Sequence, residues 1–302
     1  MHECTNCGSK NLRDLGFIGE IAPFFLKRVL NMEIGTSPVR SPLRIFARRV
    51  CTLPHRFFAR LYRSGVFVEM QICIDCSFVQ TKHAFRDEDL ARLYADYRSS
   101  RYNEERIRYE PEYAQLAKYV GVGEQEIECR VGGLTAWLAD KIQPGDKFSM
   151  LDFGGSDGRF LPRFRGRKFV YEISDTSPLP GIVRIADEAN LGTYAYVQIA
   201  HVLEHVPEPR RLLKHVASFV EPSGHLYIEV PQDLSDVEIE KLKTGPVRRG
   251  LMVHEHINVY CPSSVRKLVE ASGLIPIHVE ATKIDLGWIK GTNVRALCRR
   301  AV

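Results

Sequence analysis

Three groups of residues in this chain have the types and spacing to do chemistry. Four thiols stand in two Cys-x-x-Cys pairs, Cys4/Cys7 in CTNCGS and Cys73/Cys76 in CIDCSF. Thiolates so spaced around a tight turn suit a tetrahedral metal ion, zinc above all. A second group, Leu151-Asp152-Phe153-Gly154-Gly155-Ser156-Asp157-Gly158, puts glycines where a strand should end and a helix begin, so the backbone can turn tightly and a ligand can approach closely. Twenty residues beyond Asp152, at the end of the next apolar run, Glu172 is placed to accept both hydroxyls of a ribose. The third group, His254-Glu255-His256, sets two imidazoles beside a carboxylate, and an imidazole takes up a proton near neutral pH.

The elements that must carry these groups follow from the hydrophobic pattern. KFSMLDF (147–153), KFVYEIS (168–174), GIVRIA (181–186), AYVQIA (195–200) and HLYIEVP (225–231) are short apolar runs rich in β-branched and aromatic residues, as buried parallel strands require. PRRLLKHVASFV (209–220) and PSSVRKLVEASG (262–273) have helical spacing, and PIHVEATKI and TNVRALCRR read as a final antiparallel pair. Between Arg86 and Ile142 the pattern is helical and stops at Pro144-Gly145. The expected fold is therefore α/β, a doubly wound Rossmann-like sheet with an N-terminal metal-binding and helical extension. Its expected divisions are residues 1–85 with a basic insert at about 17–65, a helical lid or linker at 86–145, and the ligand-binding domain at 146–302. In the insert, Leu43, Phe46, Val50, Phe57 and Leu61 suggest two short amphipathic helices.

Composition narrows the class. The chain has 302 residues, 44% hydrophobic and 26% charged, with 42 basic and 37 acidic side chains and a net charge of +5. It is too apolar and too balanced in charge for a disordered chain. No run approaches the ~18 apolar residues of a membrane span, and MHECTNCGSK lacks the apolar core of a secretory signal. A cytoplasmic, reducing setting is expected, where paired thiols bind metal more often than they form disulfides. Between Cys7 and Cys73 lie 65 residues, far more than in a compact zinc ribbon, but the entropy of closing a loop grows only logarithmically with its length. A redox pair or unpaired buried thiols are the alternatives. The positive charge is local: residues 17–65 hold nine basic residues against Glu20 and Glu33, a balance of +7 that leaves the rest slightly acidic. No nucleic-acid partner is implied by the total. The basic apolar stretch 20–63 is either a cap packed on its own domain or a peripheral contact with an anionic membrane face.

The glycine loop shares its logic with the dinucleotide fingerprint, but its order is Asp-x-Gly-x-Ser-x-Gly. This resembles the first motif of class I S-adenosylmethionine-dependent methyltransferases, with Ser156 replacing one glycine. His201-Val202-Leu203-Glu204-His205-Val206 and the later Glu229-Val230-Pro231 also resemble the segments of that superfamily at its fourth and fifth strands. The resemblance implies a seven-stranded sheet and cofactor contacts from Asp152, Gly154, Ser156, Gly158, Glu172 and Asp187, although Asp187 equally fits a helix N-cap. The thiol pairs, followed by Phe78-Val79-Gln80, Leu93-Tyr94, Asp96-Tyr97 and Ser99-Ser100, resemble the zinc-containing sugar methyltransferases. That likeness assigns structural zinc to Cys4, Cys7, Cys73 and Cys76, and brings Tyr97, Ser100 and Tyr102 over the cofactor, unless these tyrosines only pack a helix.

His254-Glu255-His256 is similar to the Tyr-His-Glu-His element of the sugar C-methyltransferases, whose last histidine is the base; here Val253 takes the place of the tyrosine, and a counterpart of their C-terminal domain is not expected. Carbon methylation needs an enolate stabilised by such a hydroxyl, whereas oxygen methylation needs only a hydroxyl near a histidine. The expected activity is O-methylation of a sugar, nucleotide-sugar or glycan, with His256 as base, His254 and Glu255 orienting it, and His201 near the transferred methyl. C-methylation and a non-catalytic scaffold docking through the basic insert are the alternatives. Arg248 and Arg249 suit a substrate phosphate or a solvated loop.

Overall fold

The computed structural model describes residues 3–32, 66–97, 99–145, 147–246 and 250–301. The helices expected at 43–61, Cys51, and Arg248 and Arg249 lie outside the described residues. In chain order the N-terminal part contains β1 (Leu12–Ile21), α1 (Pro23–Leu30), β2 (Phe67–Cys73) and β3 (Val79–Thr81). Helices α2 (Asp87–Tyr94), α3 (Ser100–Tyr109), α4 (Tyr113–Leu116), α5 (Glu124–Ile127) and α6 (Gly133–Leu138) follow, the last two joined by a π turn. Next come β4 (Ser149–Phe153), β5 (Arg167–Tyr171), β6 (Ile182–Ile185), β7 (Tyr194–Ala200), α7 (Pro209–Ala217), β8 (Val220–Pro231) and α8 (Asp236–Thr244). The chain continues through β9 (Leu251–Val253), β10 (Asn258–Val259), α9 (Pro262–Ala271), β11 (Leu274–Asp285) and β12 (Lys290–Arg300).

Seven strands form the main sheet in the order β11-β12-β8-β7-β4-β5-β6, parallel except where β12 runs against both neighbours. Alternate side chains point to opposite faces. Met150, Tyr196, Tyr227 and Leu297 pack with Leu134 and Leu138 of α6 on one face. On the other, Leu151, Val197, Ile228 and Val294 pack with Leu213 and Val216 of α7 and Val265 and Leu268 of α9. Helices thus cover both faces, as a mostly parallel sheet requires.

The structure corrects the sequence reading at two places. No helix follows the glycine loop: residues 154–166 are turns. Ser156, Gly158 and Gly166 have positive φ and Pro162 lacks an N–H, so a helical ladder cannot propagate there. The loop therefore offers turn N–H groups instead of a helix N-terminus. Second, residues 251–253 and 258–259, expected inside the ligand-binding domain, are strands of the N-terminal sheet, whose order is β10-β3-β2-β1-β9. β9 pairs parallel to β1, and β10 antiparallel to β3. In the basic segment, α1 buries Phe24, Phe25, Leu26 and Val29, and Arg28 pairs with Glu105 at 2.5 Å. Residues 23–30 are thus a packed cap, with their apolar face used up in the core. Among the described residues no helix is long and apolar enough to cross a membrane.

Within the main sheet, Arg295 of β12 lies opposite Glu229 of β8. Its Nε donates to Glu229 Oε2 at 2.8 Å, both groups being buried, and the Tyr227 hydroxyl donates to the same oxygen at 2.6 Å. Burial pushes the Glu229 carboxyl up, but His201, Arg130 and Arg295 overcome this and hold it well below the usual carboxylate range. Removing one partner of such a pair strands a buried charge. Arg295→Ala should therefore cost about 3–5 kcal/mol of stability in urea denaturation, and Arg295→Met combined with Glu229→Gln should recover much of it.

Candidate active site

The cofactor half of the site lies at the C-terminal ends of β4 and β5. Asp152 is buried at the end of β4, with Oδ2 receiving no hydrogen bond. Burial pushes its carboxyl up to about 7, against the pull of Gln198 and Arg130. A Cβ on Gly155 would stand 2.0 Å from the Asp152 carboxyl carbon, and one on Gly154, at φ +73°, would strike Val202 at 2.9 Å. The loop must therefore be glycine for the chain to fold back over the acid. Glu172, just past β5, accepts the Ser156 N–H at 2.8 Å on Oε2 and the Ser174 N–H at 2.9 Å on Oε1. Each oxygen retains a lone pair for a ribose hydroxyl. An orphaned buried acceptor, a glycine cradle and a carboxylate fixed by backbone fit S-adenosylmethionine. Asp187 caps the short turn 188–190 by accepting the Ala189 N–H at 3.0 Å, so the N-cap alternative is realised in its geometry.

The second half gathers around Leu203-Glu204-His205, a 3-10 turn after β7. His201, at φ 56°, has both ring nitrogens against buried carboxylates, Nδ1 3.3 Å from Glu204 Oε1 and Nε2 3.1 Å from Glu229 Oε1. Its pKa is raised although burial opposes this. Held in this way, His201 has both ring nitrogens engaged by carboxylates and is suited to position other groups. Glu204 is fully buried. Burial would raise it, but His205, His201 and His256 hold it at about 2. His205 Nδ1 donates to the Glu255 carbonyl at 3.1 Å and lies 2.7 Å from the Tyr94 hydroxyl; burial lowers its pKa.

The loop of His254, Glu255 and His256 spans the gap between β9 and β10, and both strands belong to the N-terminal sheet. Ile257 N–H donates to the Glu204 carbonyl at 3.0 Å, and the Asn258 side chain donates to the Leu203 and Val206 carbonyls at 2.9 and 2.7 Å. The loop is thereby tied to the 203–205 turn. His256 Nδ1 pairs with Asp233 Oδ2 at 3.0 Å. Asp233 itself is fixed between the Gln232 N–H bond to Thr292 and the Ser235/Glu238 capping box of α8. Burial works against charge on His256, yet Asp233, Glu204 and Glu255 raise it to about 9. His254 is lowered to about 4 by burial and Arg106. Glu255 is paired with Arg106, which overcomes its burial and lowers it.

Tyr102 is fully buried, edge-on to Phe24 and Tyr97, with its hydroxyl 3.3 Å from Arg106 and 3.5 Å from Glu255. It packs behind the His254–His256 loop, in the place the helix-packing alternative expects. Sequence reasoning missed Asp233 and Arg106, and quoted Tyr94 and Glu229 only within family motifs, with no role in the site. Only Glu229 carried a signal, a charge inside an apolar strand.

The four thiols come together as expected. Their sulfurs lie within 4.8 Å of one another, with Cys4–Cys76 and Cys7–Cys73 each at 3.7 Å. A tetrahedral ion with Zn–S bonds of ~2.3 Å has sulfur–sulfur edges of ~3.8 Å. Cys4, Cys73 and Cys76 pack in one core with Phe78 and Tyr260, and the Asn6 side chain donates to the Ser264 carbonyl of α9 at 2.9 Å.

Glycine loop, strand-end acids and sheet order define a class I S-adenosylmethionine-dependent methyltransferase domain. Residues 73–279 match the family model described as a methyltransferase domain, and the chain belongs to that family. A curated relative, the ubiquinone biosynthesis O-methyltransferase of Vibrio campbellii, is 29% identical over 96 residues, 30% of this chain; the chain spans about 40% of that relative's length. Among solved structures, the Burkholderia thailandensis 1,6-didemethyltoxoflavin-N1-methyltransferase with S-adenosylhomocysteine is 16% identical, with TM-score 0.44, over 64% of this chain and 90% of its own. The glycopeptide N-methyltransferase MtfA is 14% identical, with TM-score 0.41, over 57% and 95%.

Ser156 adopts a left-handed conformation, φ 56°, at a position where the motif otherwise has glycine. That conformation costs a non-glycine residue roughly 1–2 kcal/mol, part of which glycine would return through its greater freedom in the unfolded chain. Ser156→Gly should raise the melting temperature by a few degrees (~2–4 °C per kcal/mol) and retain cofactor binding in calorimetry.

Proposed function

We propose that this domain transfers a methyl group from S-adenosylmethionine to a hydroxyl of a sugar, nucleotide-sugar or glycan acceptor, with His256 as the general base. The observation that carries this reading is the Asp233–His256 pair at 3.0 Å beside Glu204 and His205, beyond the ends of β7 and β8. When bound, the cofactor supplies an electrophilic methyl, and its sulfur keeps the electron pair of the broken carbon–sulfur bond. The acceptor oxygen forms the new bond, and its proton passes to Nε2 of His256, whose Nδ1–H remains on Asp233. With its pKa raised to about 9 by Asp233, Glu204 and Glu255, His256 is neutral in only a minor fraction at pH 7, and the fraction able to accept the proton grows as the pH rises. Arg106 and Tyr102 hold Glu255, the neighbour of His256 in the same loop. A likeness to an O-methyltransferase supports oxygen as the target.

One observation favours carbon instead: Tyr94 brings a phenolic hydroxyl to within 2.7 Å of His205 Nδ1, replacing the tyrosine absent at Val253. The test incubates the full chain with S-adenosylmethionine and a panel of nucleotide sugars and glycans, and locates the added methyl by mass spectrometry and NMR. A methyl on oxygen is expected; one on carbon would favour the second reading, and none on any acceptor would favour a non-catalytic scaffold. His256→Ala should lower turnover by ~100-fold or more with cofactor affinity unchanged, and an undiminished rate would place the base elsewhere.

The thiol cluster is the proposed structural zinc site, and the N-terminal sheet it closes carries the His254–His256 loop. Chelation should therefore lower both melting temperature and turnover, with restoration by zinc. Full activity in a chelated, metal-free sample would contradict a structural ion.

A further inference from the structure

Glu204, His205 and His256 make a second constellation in the same pocket. A ring nitrogen from each histidine and an oxygen of Glu204 lie within 4.8 Å of one another, and the two rings meet edge-on at 5.1 Å. Glu204 Oε2 is buried without a hydrogen-bond partner, while Oε1 lies 3.3 Å from His201 Nδ1 and 3.7 Å from His205 Nε2. A carbonyl oxygen can only accept, so the Glu255 carbonyl calls for a proton on His205 Nδ1, which the Tyr94 hydroxyl at 2.7 Å then shares as a second acceptor. The Nε2 lone pair therefore faces the Glu204 carboxylate, and two acceptors turned toward one another call for a cation between them. His256 repeats the pattern, with Nδ1 on Asp233 and Nε2 left for the pocket. Metal-ligating histidines are oriented in this way, with the far ring nitrogen donating to a carbonyl or carboxylate.

We infer that Glu204, His205 and His256 form a divalent first-row transition-metal site, separate from the four thiols. Two imidazoles and one carboxylate suit zinc, iron, cobalt or nickel over magnesium or calcium, which prefer oxygen donors. The His256 side chain is 33% exposed, which gives an ion a route in. An ion there occupies the lone pair that the proposed base needs, so metal binding suppresses methyl transfer; this effect on rate, though not the binding itself, rests on the proposed role of His256.

The test saturates the thiol site of the full chain with zinc, then titrates Co(II), followed by calorimetry and visible absorption. One further Co(II) per chain is expected, with the ligand-field bands of a nitrogen and oxygen site and no thiolate charge transfer. His256→Ala and Glu204→Gln should weaken it at least ~10-fold, and Asp233→Asn, which removes the carboxylate behind the ligand, ~10–100-fold. Because His256 is partly exposed, its truncation reports on the site even if the loss of Glu204 unfolds the chain. No further ion, or one bound equally well by all three variants, overturns the inference. Co(II) that binds without slowing methyl transfer leaves the metal site standing and removes His256 as the base. A rate that needs His256 while no further Co(II) binds removes the metal site alone.

Discussion

Two short strand pairings, β9 on β1 and β10 on β3, decide where the His254–His256 loop lies. The loop belongs by sequence to the second half of the chain, but its backbone bonds are made with the first. Three residues on one side and two on the other span the crossing, so neither pairing would persist alone. They hold because β1, β2 and β3 are already fixed to one another and to the thiol cluster behind them. The N-terminal extension is therefore the wall from which the proposed acceptor side of the site is hung, and the glycine loop on the main sheet supplies the other side.

Buried carboxylates link the two halves. Glu229 and Glu204 would each be costly in the interior without compensation. Arg295 and Tyr227 satisfy Glu229, and His201 spans from Glu229 to Glu204. Glu204 then faces His205, and its backbone carbonyl receives Ile257 N–H of the loop. A chain of charge compensation thus runs from the middle of β12 to the proposed base. Asp152 and Glu172 stand apart from it and are arranged for a ligand, one with an unused oxygen and the other held by backbone N–H groups.

Much of this was legible in the sequence, for identifiable reasons. Parallel strands buried on both faces must be continuously apolar, which exposed β4 to β8; the tight turn needed glycines, which exposed the cofactor loop; and four thiols in two knuckles have few other uses. The hidden parts break periodicity or act across long separations. In β1, Gly16 and Gly19 accompany bulges that interrupt strand alternation, while β9 and β10 are too short to have any. The helix expected after the glycine loop is absent because Pro162 and positive-φ residues replace it with turns. Asp233 and Tyr94 reach His256 and His205 from 23 and 111 residues away, a proximity that only the fold creates.

The account stands on the glycine loop and Glu172 being a cofactor site. Calorimetric titration of S-adenosylmethionine into the full chain, wild type and Glu172→Ala, tests this most directly. One molecule should bind per chain, and the loss of Glu172, a charged acceptor of two ribose hydroxyls, should weaken binding by at least ~10-fold, the ~1.5–3 kcal/mol of a hydrogen bond to a charged group. No binding, or equal binding by both proteins, would contradict it.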